Sequence, residues 1–594
     1  MAKPASRSSS ADVVTNKPTS APAKSPSGPA IPRMTAFGFA MLGGLFLFLA
    51  FPPAGLSWLG WIAPCFWFPI IVDRRAFTRG TFFVIWLAGT IHWLIMLQGI
   101  RLAHPALYAG WFALSAYLGI YLPCFIGVTR RLCHTSSARL PLLLVAPAFW
   151  TFLELLRGHL FTGFSMGLLA HTQAENTALI QVADIAGGYG LSWVMLSFSV
   201  VLFQTSLSIA KREKSLPRSF YWRLGYAGAL LGGTLAYGQF RLQEAKKLPS
   251  PEKPLSVLAI QGSLDTVFDT TEEETRERVD RTLSHYEKLT REAISAKEPY
   301  DLVLWPESSF PLPELRIVGE LKAPEGASLT ADQFRQRIEA SGAPFENVIQ
   351  SAAKLINTSH EKSGKKAHLL FGGTTVEFSG EKSRSYNAAL LTDEKGSIID
   401  RYYKMKIVMF GEYIPFGEWF PILYSITPLG EGLSRGPNSA SMDVKGTRVM
   451  PCVCFESTVP HWVREQVCLQ RSQQTAPDIL VNLSNDGWFH GTSILDMHFR
   501  CNVFRAVENR LPVIVAANTG LSAHIEGTGK IATVAKRRTP ETFSCLPAPD
   551  GRIPAYHFWG DLPWWLAGLL LLANFFWKSP LFGLGKAYRS QIVT

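Results

Sequence analysis

Seven long apolar runs crowd into about 210 consecutive residues, more hydrocarbon than a soluble fold can shield. They fall at about 37–51, 56–72, 80–97, 107–128, 140–156, 188–209 and 224–241, with an eighth at about 561–577. One such run could equally be a buried core helix. Seven in succession, bounded by Trp and Tyr, have the pattern of membrane spans. Composition agrees: 47% of the 594 residues are hydrophobic and 18% charged, against roughly 25% charged in soluble domains. A wholly disordered chain is excluded, and 8 cysteines exclude a disulfide-dense scaffold.

The net charge of +12 would suit nucleic acid if it lined one face. Instead it sits in loops beside the apolar runs, so a membrane is the expected partner and nucleic acid is not. Arg74, Arg75 and Arg79 follow the second run, Arg130, Arg131 and Arg139 the fourth, and Lys211, Arg212, Lys214 and Arg218 the sixth. Loops after odd-numbered runs are poorer, with Arg101 and Arg157 the main exceptions. The positive-inside rule then puts both termini in the cytoplasm and residues beyond about 245 on the opposite side. The expected organisation is a disordered tail at 1–34, a seven-span bundle at 35–245, an extramembrane domain at 246–558, and an eighth span with a basic tail at 559–594.

Residues 246–558 have a different texture. Short apolar runs recur at Ser256–Gln261, Asp301–Trp305, His368–Gly372, Asn387–Thr392, Val449–Phe455, Ile479–Leu483 and Pro512–Ala516. Helix-like stretches at Thr271–Lys297 and Met497–Arg510 alternate with them. Strands alternating with helices predict one large α/β domain.

Reactive groups stand at the ends of three strands: Glu307 in Trp305-Pro306-Glu307, Lys404 after Arg401-Tyr402-Tyr403, and Cys454 in Cys452-Val453-Cys454-Phe455-Glu456. A rigid sheet aims such groups into one crevice. Each alone has a bland reading, since a strand Cys is usually a small buried apolar residue. Together they suit acyl transfer. A thiol of ordinary pKa about 8.5 needs a base, and Glu307 can serve. A fixed Lys404 ammonium can hold the oxyanion. Period two does not separate Cys452 from Cys454, because both would face the same side of a strand.

In this order, with Phe410-Gly411-Glu412-x-x-Pro415 between them, these residues resemble the nitrilase superfamily, and more closely the bacterial apolipoprotein N-acyltransferase family. Trp150-x-x-x-Glu154-x-x-Arg157-Gly158 with Thr162-Gly163-Phe164 is similar to that family's membrane signature. Ser434-Arg435-Gly436-Pro437, Ser484-Asn485-Asp486-x-Trp488-Phe489 and Asn518-x-Gly520 also match it. The resemblance implies a multi-span α-helical bundle plus a nitrilase-like αββα sandwich. Glu307, Lys404 and Cys454 would be catalytic, with Cys454 chosen by the C-[aromatic]-E pattern and Lys404 by its eight-residue interval to Glu412. Glu412, Phe455 and Glu456 would support the site, and Phe268 would stand where the family carries Trp.

The implied reaction moves an acyl chain from a phospholipid, typically phosphatidylethanolamine, onto Cys454. From that thioester it passes to the α-amine of the diacylglyceryl-cysteine of an apolipoprotein. The resemblance further implies a monomer in the bacterial inner membrane with a periplasmic catalytic domain, and neither cofactor nor metal. Cys452, Cys454, His461 and Cys468 lack structural-zinc spacing. Glu154 and Arg157 are expected as a structural ion pair, and 314–350 and 458–477 as candidate gating loops. A tethered amidase, with water as acceptor, is the alternative enzyme. It explains the bundle poorly, because a small amide needs no bilayer cavity. A transporter or receptor with a ligand-binding domain leaves the Glu, Lys and Cys without a role.

Overall fold

The computed structural model describes residues 29–577, apart from 106, 135–139, 211–216, 250, 266–270, 296–298, 325–328, 359–364, 418, 421 and 426–431. Most of the expected tail, Phe268, and the loop and C-terminal cations Arg139, Lys211, Arg212, Lys214, Lys578, Lys586 and Arg589 lie outside the described residues. Helices long and apolar enough to cross a membrane occupy Arg33–Ala50, Arg79–Met96, Leu107–His134 and Ala183–Ala210. Leu142–His159 and Arg218–Ala245 pack among them, and Leu562–Trp577 lies against Leu142–His159. Small residues permit the close crossings. A Cβ on Gly89 would stand 2.7 Å from the Gly119 carbonyl oxygen.

The run at 56–72 is not one helix. It forms short 3-10 turns at Ser57–Trp61 and Ala63–Phe66 and a five-residue helix at Phe68–Val72. Pro64 and Pro69 each sit in the first turn of a new segment. Proline has no N–H to continue the preceding ladder, which accounts for the restarts.

The C-terminal half is an αββα sandwich. One sheet holds β1 (Val257–Gln261), β2 (Leu302–Trp305), β3 (Glu314–Leu321), β4 (His368–Gly380), β5 (Lys382–Thr392) and β6 (Ile398–Tyr403). The other holds β7 (Met442–Val444), β8 (Thr447–Val453), β9 (Ile479–Ser484), β10 (Val513–Ala517), β11 (Ala523–Ile525) and β12 (Ile531–Val534). The final strand, β13 (Glu541–Cys545), returns to pair antiparallel with β1. Period two divides β1 cleanly. Val257 and Ala259 join the core between the sheets, while Leu258 and Ile260 face the helices Glu272–Ser295 and Ala331–Thr358. The helices Pro460–Ser472 and Ile494–Asn509 cover the second sheet. Burial on both faces explains why these strands read as unbroken apolar runs.

Most of the described residues in the candidate gating stretches are regular structure: β3, the helix Ala331–Thr358 and the helix Pro460–Ser472. Phe345, Ile349, Ala352 and Ile356 form a buried stripe at helical spacing. Between β6 and β7 the described residues carry little regular structure beyond the short helix Ile422–Ser425, and Phe416, Trp419 and Ile422 stand 66%, 75% and 73% exposed.

Polar clamps seat the sandwich on the bundle. Asp184 accepts from Tyr237 at 2.6 Å, Arg241 Nε at 2.8 Å and Arg510 Nε at 3.0 Å. Glu508 takes the Gly188 N–H at 2.8 Å, and Arg500 donates to the His171 carbonyl at 2.9 Å. Removing one member of such a buried cluster strands the others without water, so the joint is held firmly.

Candidate active site

Glu307 follows β2, Lys404 follows β6 and Cys454 follows β8, and these three strand ends meet at one edge of the sandwich. Glu307 is pressed against β4: a Cβ on Gly372 would lie 2.4 Å from the Glu307 Cα. Lys404 is anchored through its backbone. Its N–H donates to Asn387 at 2.8 Å and its carbonyl accepts from Gly436 at 2.9 Å. A Cβ at 436 would meet the Tyr403 carbonyl oxygen at 2.0 Å, which explains the glycine in Ser434–Pro437.

Cys454 sits where β8 gives way to the 3-10 turn Cys454–Thr458, with φ at +51°. That left-handed conformation is uncommon for a side-chain-bearing residue and marks a sharp turn that presents its side chain. Cys452 is separated from it by this turn. The strand alternation ends at Val453, so Cys452 stays 2% exposed in the core while Cys454 is only half-buried.

The polar network is continuous. Glu307 Oε1 accepts from Asn387 Nδ2 at 2.7 Å and from Lys404 Nζ at 3.4 Å, and its Oε2 takes the Asn485 N–H at 2.7 Å. Glu412 Oε1 accepts from Lys404 Nζ at 2.8 Å and from Asn387 Nδ2 at 3.0 Å, while Oε2 takes the Val408 N–H at 2.7 Å. One ammonium and one amide therefore bind two carboxylates together. Burial opposes charge on Lys404, yet Glu412 and Glu307 outweigh it and hold its pKa above the ordinary lysine value. Burial drives the Cys454 thiol well above its usual range and Glu307 adds to this, with Lys404 only partly countering. The resting thiol is neutral and needs a base.

Sequence reasoning passed over Asn387, which lies mid-strand among apolar neighbours, and the His498–Asp486 pair. His498 Nδ1 is 3.1 Å from Asp486 Oδ1, and its Nε2 is 3.1 Å from the Cys454 carbonyl oxygen. Burial disfavours charge on His498, but Asp486 outweighs it and raises its pKa above the ordinary value. The Ser484–Phe489 and Asn518-x-Gly520 signatures carried that signal. A Cβ on Gly520 would stand 2.2 Å from Asp486 Oδ2, and Asn518 Nδ2 donates to Asn485 Oδ1 at 3.0 Å. Glu154 and Arg157 do not pair directly. Glu154 takes the Leu169 N–H at 2.8 Å and Arg157 lies over Trp93 at 5.0 Å, both lining a bundle cavity of about 60 Å³.

Two family models match the chain: the apolipoprotein N-acyltransferase N-terminal domain over residues 43–201 and carbon-nitrogen hydrolase over 272–555. The apolipoprotein N-acyltransferase of Rhodopirellula baltica is 30% identical over 516 residues, covering 83% of this chain and 89% of that protein. The chain belongs to the apolipoprotein N-acyltransferase family. The namesake from Geobacter metallireducens is 31% identical, covering 84% of this chain and 87% of that protein. Among solved structures, an amidase from Nesterenkonia sp. aligns at 15% identity over 51% of this chain and 93% of that chain. Its TM-score is 0.31, too low to bear weight. As a family member the chain is an acyltransferase in a membrane setting.

In this acyltransferase Glu456 ties the two halves of the site together. Its carboxylate accepts from Tyr402 Oη at 2.8 Å and from the N–H groups of Met405 at 2.7 Å, Lys406 at 2.9 Å and Val453 at 2.8 Å. Phe455 beside it only packs against the core. Burial lifts Glu456 to about 7 despite those donors. A carboxyl raised in the folded state adds stability below its unfolded value of about 4.3, and loses it as pH rises through 7. The melting temperature is therefore expected to decline between pH 5 and 8, with a shallower slope in Glu456→Gln. Thermal scans across that range check it, and parallel slopes would contradict it.

Proposed function

We propose that this enzyme completes lipoprotein maturation by moving an acyl chain from a phospholipid, phosphatidylethanolamine foremost, to the α-amine of an apolipoprotein's diacylglyceryl-cysteine. Glu307 removes the Cys454 proton as the sulfur attacks the ester carbonyl. Lys404 receives the oxyanion, the tetrahedral adduct collapses, and Glu307 returns the proton to the departing lysophospholipid. The α-amine then attacks the Cys454 thioester. Glu307 takes a proton from the amine, the thiolate leaves and is reprotonated, and an amide remains.

The observation that supports this reading best is the Lys404 ammonium fixed between Glu307 and Glu412 beside a thiol raised on a strand-end turn. The reading also places seven spans before residue 246 and one after 558, with the sandwich on the periplasmic face of a bacterial inner membrane. There a site at the bilayer surface meets both lipid substrates. Exposed Phe416, Trp419 and Ile422, in the segment between Lys404 and β7, suit contact with acyl chains.

The test is an N-acylation assay in phosphatidylethanolamine vesicles with a synthetic diacylglyceryl-cysteinyl peptide. Wild type is expected to add one acyl mass to the peptide amine, and Cys454→Ala to add none. Release of free fatty acid with the peptide unmodified would instead favour hydrolysis.

A further inference from the structure

Two buried side chains that the proposed proton transfers do not use lie directly behind the nucleophile. His498 stands in the second turn of the helix Ile494–Asn509 and Asp486 just after β9, and they are only 6% and 4% exposed. One ring nitrogen of His498, one Asp486 carboxylate oxygen and Cys454 Sγ lie within 4.8 Å of one another.

Both ring nitrogens of His498 are engaged with oxygen. Nδ1 stands 3.1 Å from Asp486 Oδ1, and Ser484 Oγ donates to the same oxygen at 3.2 Å. Nε2 lies 3.1 Å from the Cys454 carbonyl oxygen and 3.2 Å from Ser457 Oγ. A carbonyl oxygen only accepts, so the ring donates to it. Ser457 adds a second donor to that carbonyl at 3.2 Å, and Asn482 Nδ2 holds Ser457 Oγ at 2.9 Å. A buried chain of polar groups therefore grips the backbone of the one residue that carries the thiol. Cys454 has φ at +51°, a conformation that persists only where its surroundings over-determine it. The peptide that follows is trans and planar, so the Phe455 N–H points away from the gripped carbonyl. That N–H lies in the first turn of Cys454–Thr458, where no carbonyl of the turn can reach it.

We propose that His498, oriented by Asp486, is a positioning residue that locks the Cys454–Phe455 peptide, so that Sγ and the Phe455 N–H are both aimed at the reacting carbonyl. The inference rests on Cys454 carrying the acyl group, as proposed above. Attack by the thiol then meets Lys404 and the Phe455 N–H as two oxyanion donors, and each must stand where the charge develops. With both nitrogens engaged, His498 is not a second base for the thiol.

Two rates measured on the same full-length preparation separate positioning from support of the fold. Acylation of Cys454 in phosphatidylethanolamine vesicles, read by mass in a single turnover, needs the oxyanion donors. Alkylation of Cys454 by iodoacetamide, read by peptide mass, is a displacement that forms no oxyanion. His498→Leu is expected to acylate about 10²-fold more slowly at saturating lipid, with the half-saturating lipid concentration unchanged and alkylation at the wild-type rate. His498→Gln, which keeps an amide donor in reach of the Cys454 carbonyl, is expected to recover most of the acylation rate. His498→Leu also strands the buried Asp486 carboxylate and should melt lower. Adding Asp486→Asn removes that charge and is expected to restore the melting temperature while acylation stays slow. Undiminished acylation by a folded His498→Leu or by the double variant overturns the proposal. So does an equal fall in alkylation, which would make His498 a base or a support of the fold. Wild type that is alkylated at Cys454 but gains no acyl mass there would overturn the acyl-transfer reading itself, and this proposal with it.

Discussion

Glu307→Gln is expected to slow both acylation of Cys454 and transfer to the amine by about 10³-fold, within the range set by loss of a positioned general base. The thiol starts neutral, because burial holds its pKa high and Lys404 only partly offsets this. Without a carboxylate to accept its proton, little thiolate forms. The fold is expected to survive, since Gln keeps the shape and Glu412 still neutralises Lys404 at 2.8 Å. Single-turnover rates and melting temperatures measured on the same preparation separate these effects. A variant that melts like wild type and acylates at an undiminished rate would remove Glu307 from the mechanism.

Lys404→Met is expected to fail twice. Losing the oxyanion partner costs about 10²–10³ in rate. Losing the ammonium between Glu307 and Glu412 leaves two buried carboxylates sharing the Asn387 amide, a cost of about 3–5 kcal/mol in stability. A second change separates the two losses. Adding Glu412→Gln to Lys404→Met removes one stranded charge and is expected to restore part of the melting temperature while the rate stays low. If the double variant recovered activity along with stability, Lys404 would be a structural counter-ion only.

The sandwich was legible because its strands are buried on both faces, so each reads as a short apolar run with a turn at its end. The three reactive residues were legible for the same reason: they stand at those ends. The helix Ala331–Thr358 was obscured by Gly342 and Pro344, two residues that normally interrupt a helix. The break of 56–72 into short turns was equally hidden, since an apolar run shows burial and not hydrogen bonding. Period two could not choose between Cys452 and Cys454, because the left-handed turn at Cys454 is a backbone event with no signature in residue type. Asn387 was lost among the apolar neighbours of β5, and Asp184, a carboxylate within an apolar run, could not be assigned a role. Both act through partners distant in the chain, Asn387 through Glu307 and Glu412 and Asp184 through Arg510.

The central claim is that Cys454 carries the acyl group. Intact mass of the purified chain after incubation with phosphatidylethanolamine, for wild type, Cys452→Ala and Cys454→Ala, tests it most directly. The account predicts one added acyl mass, released by hydroxylamine, in wild type and Cys452→Ala, and no added mass in Cys454→Ala. An adduct lost only in Cys452→Ala, or none in any folded form with intact lipid present, would contradict it.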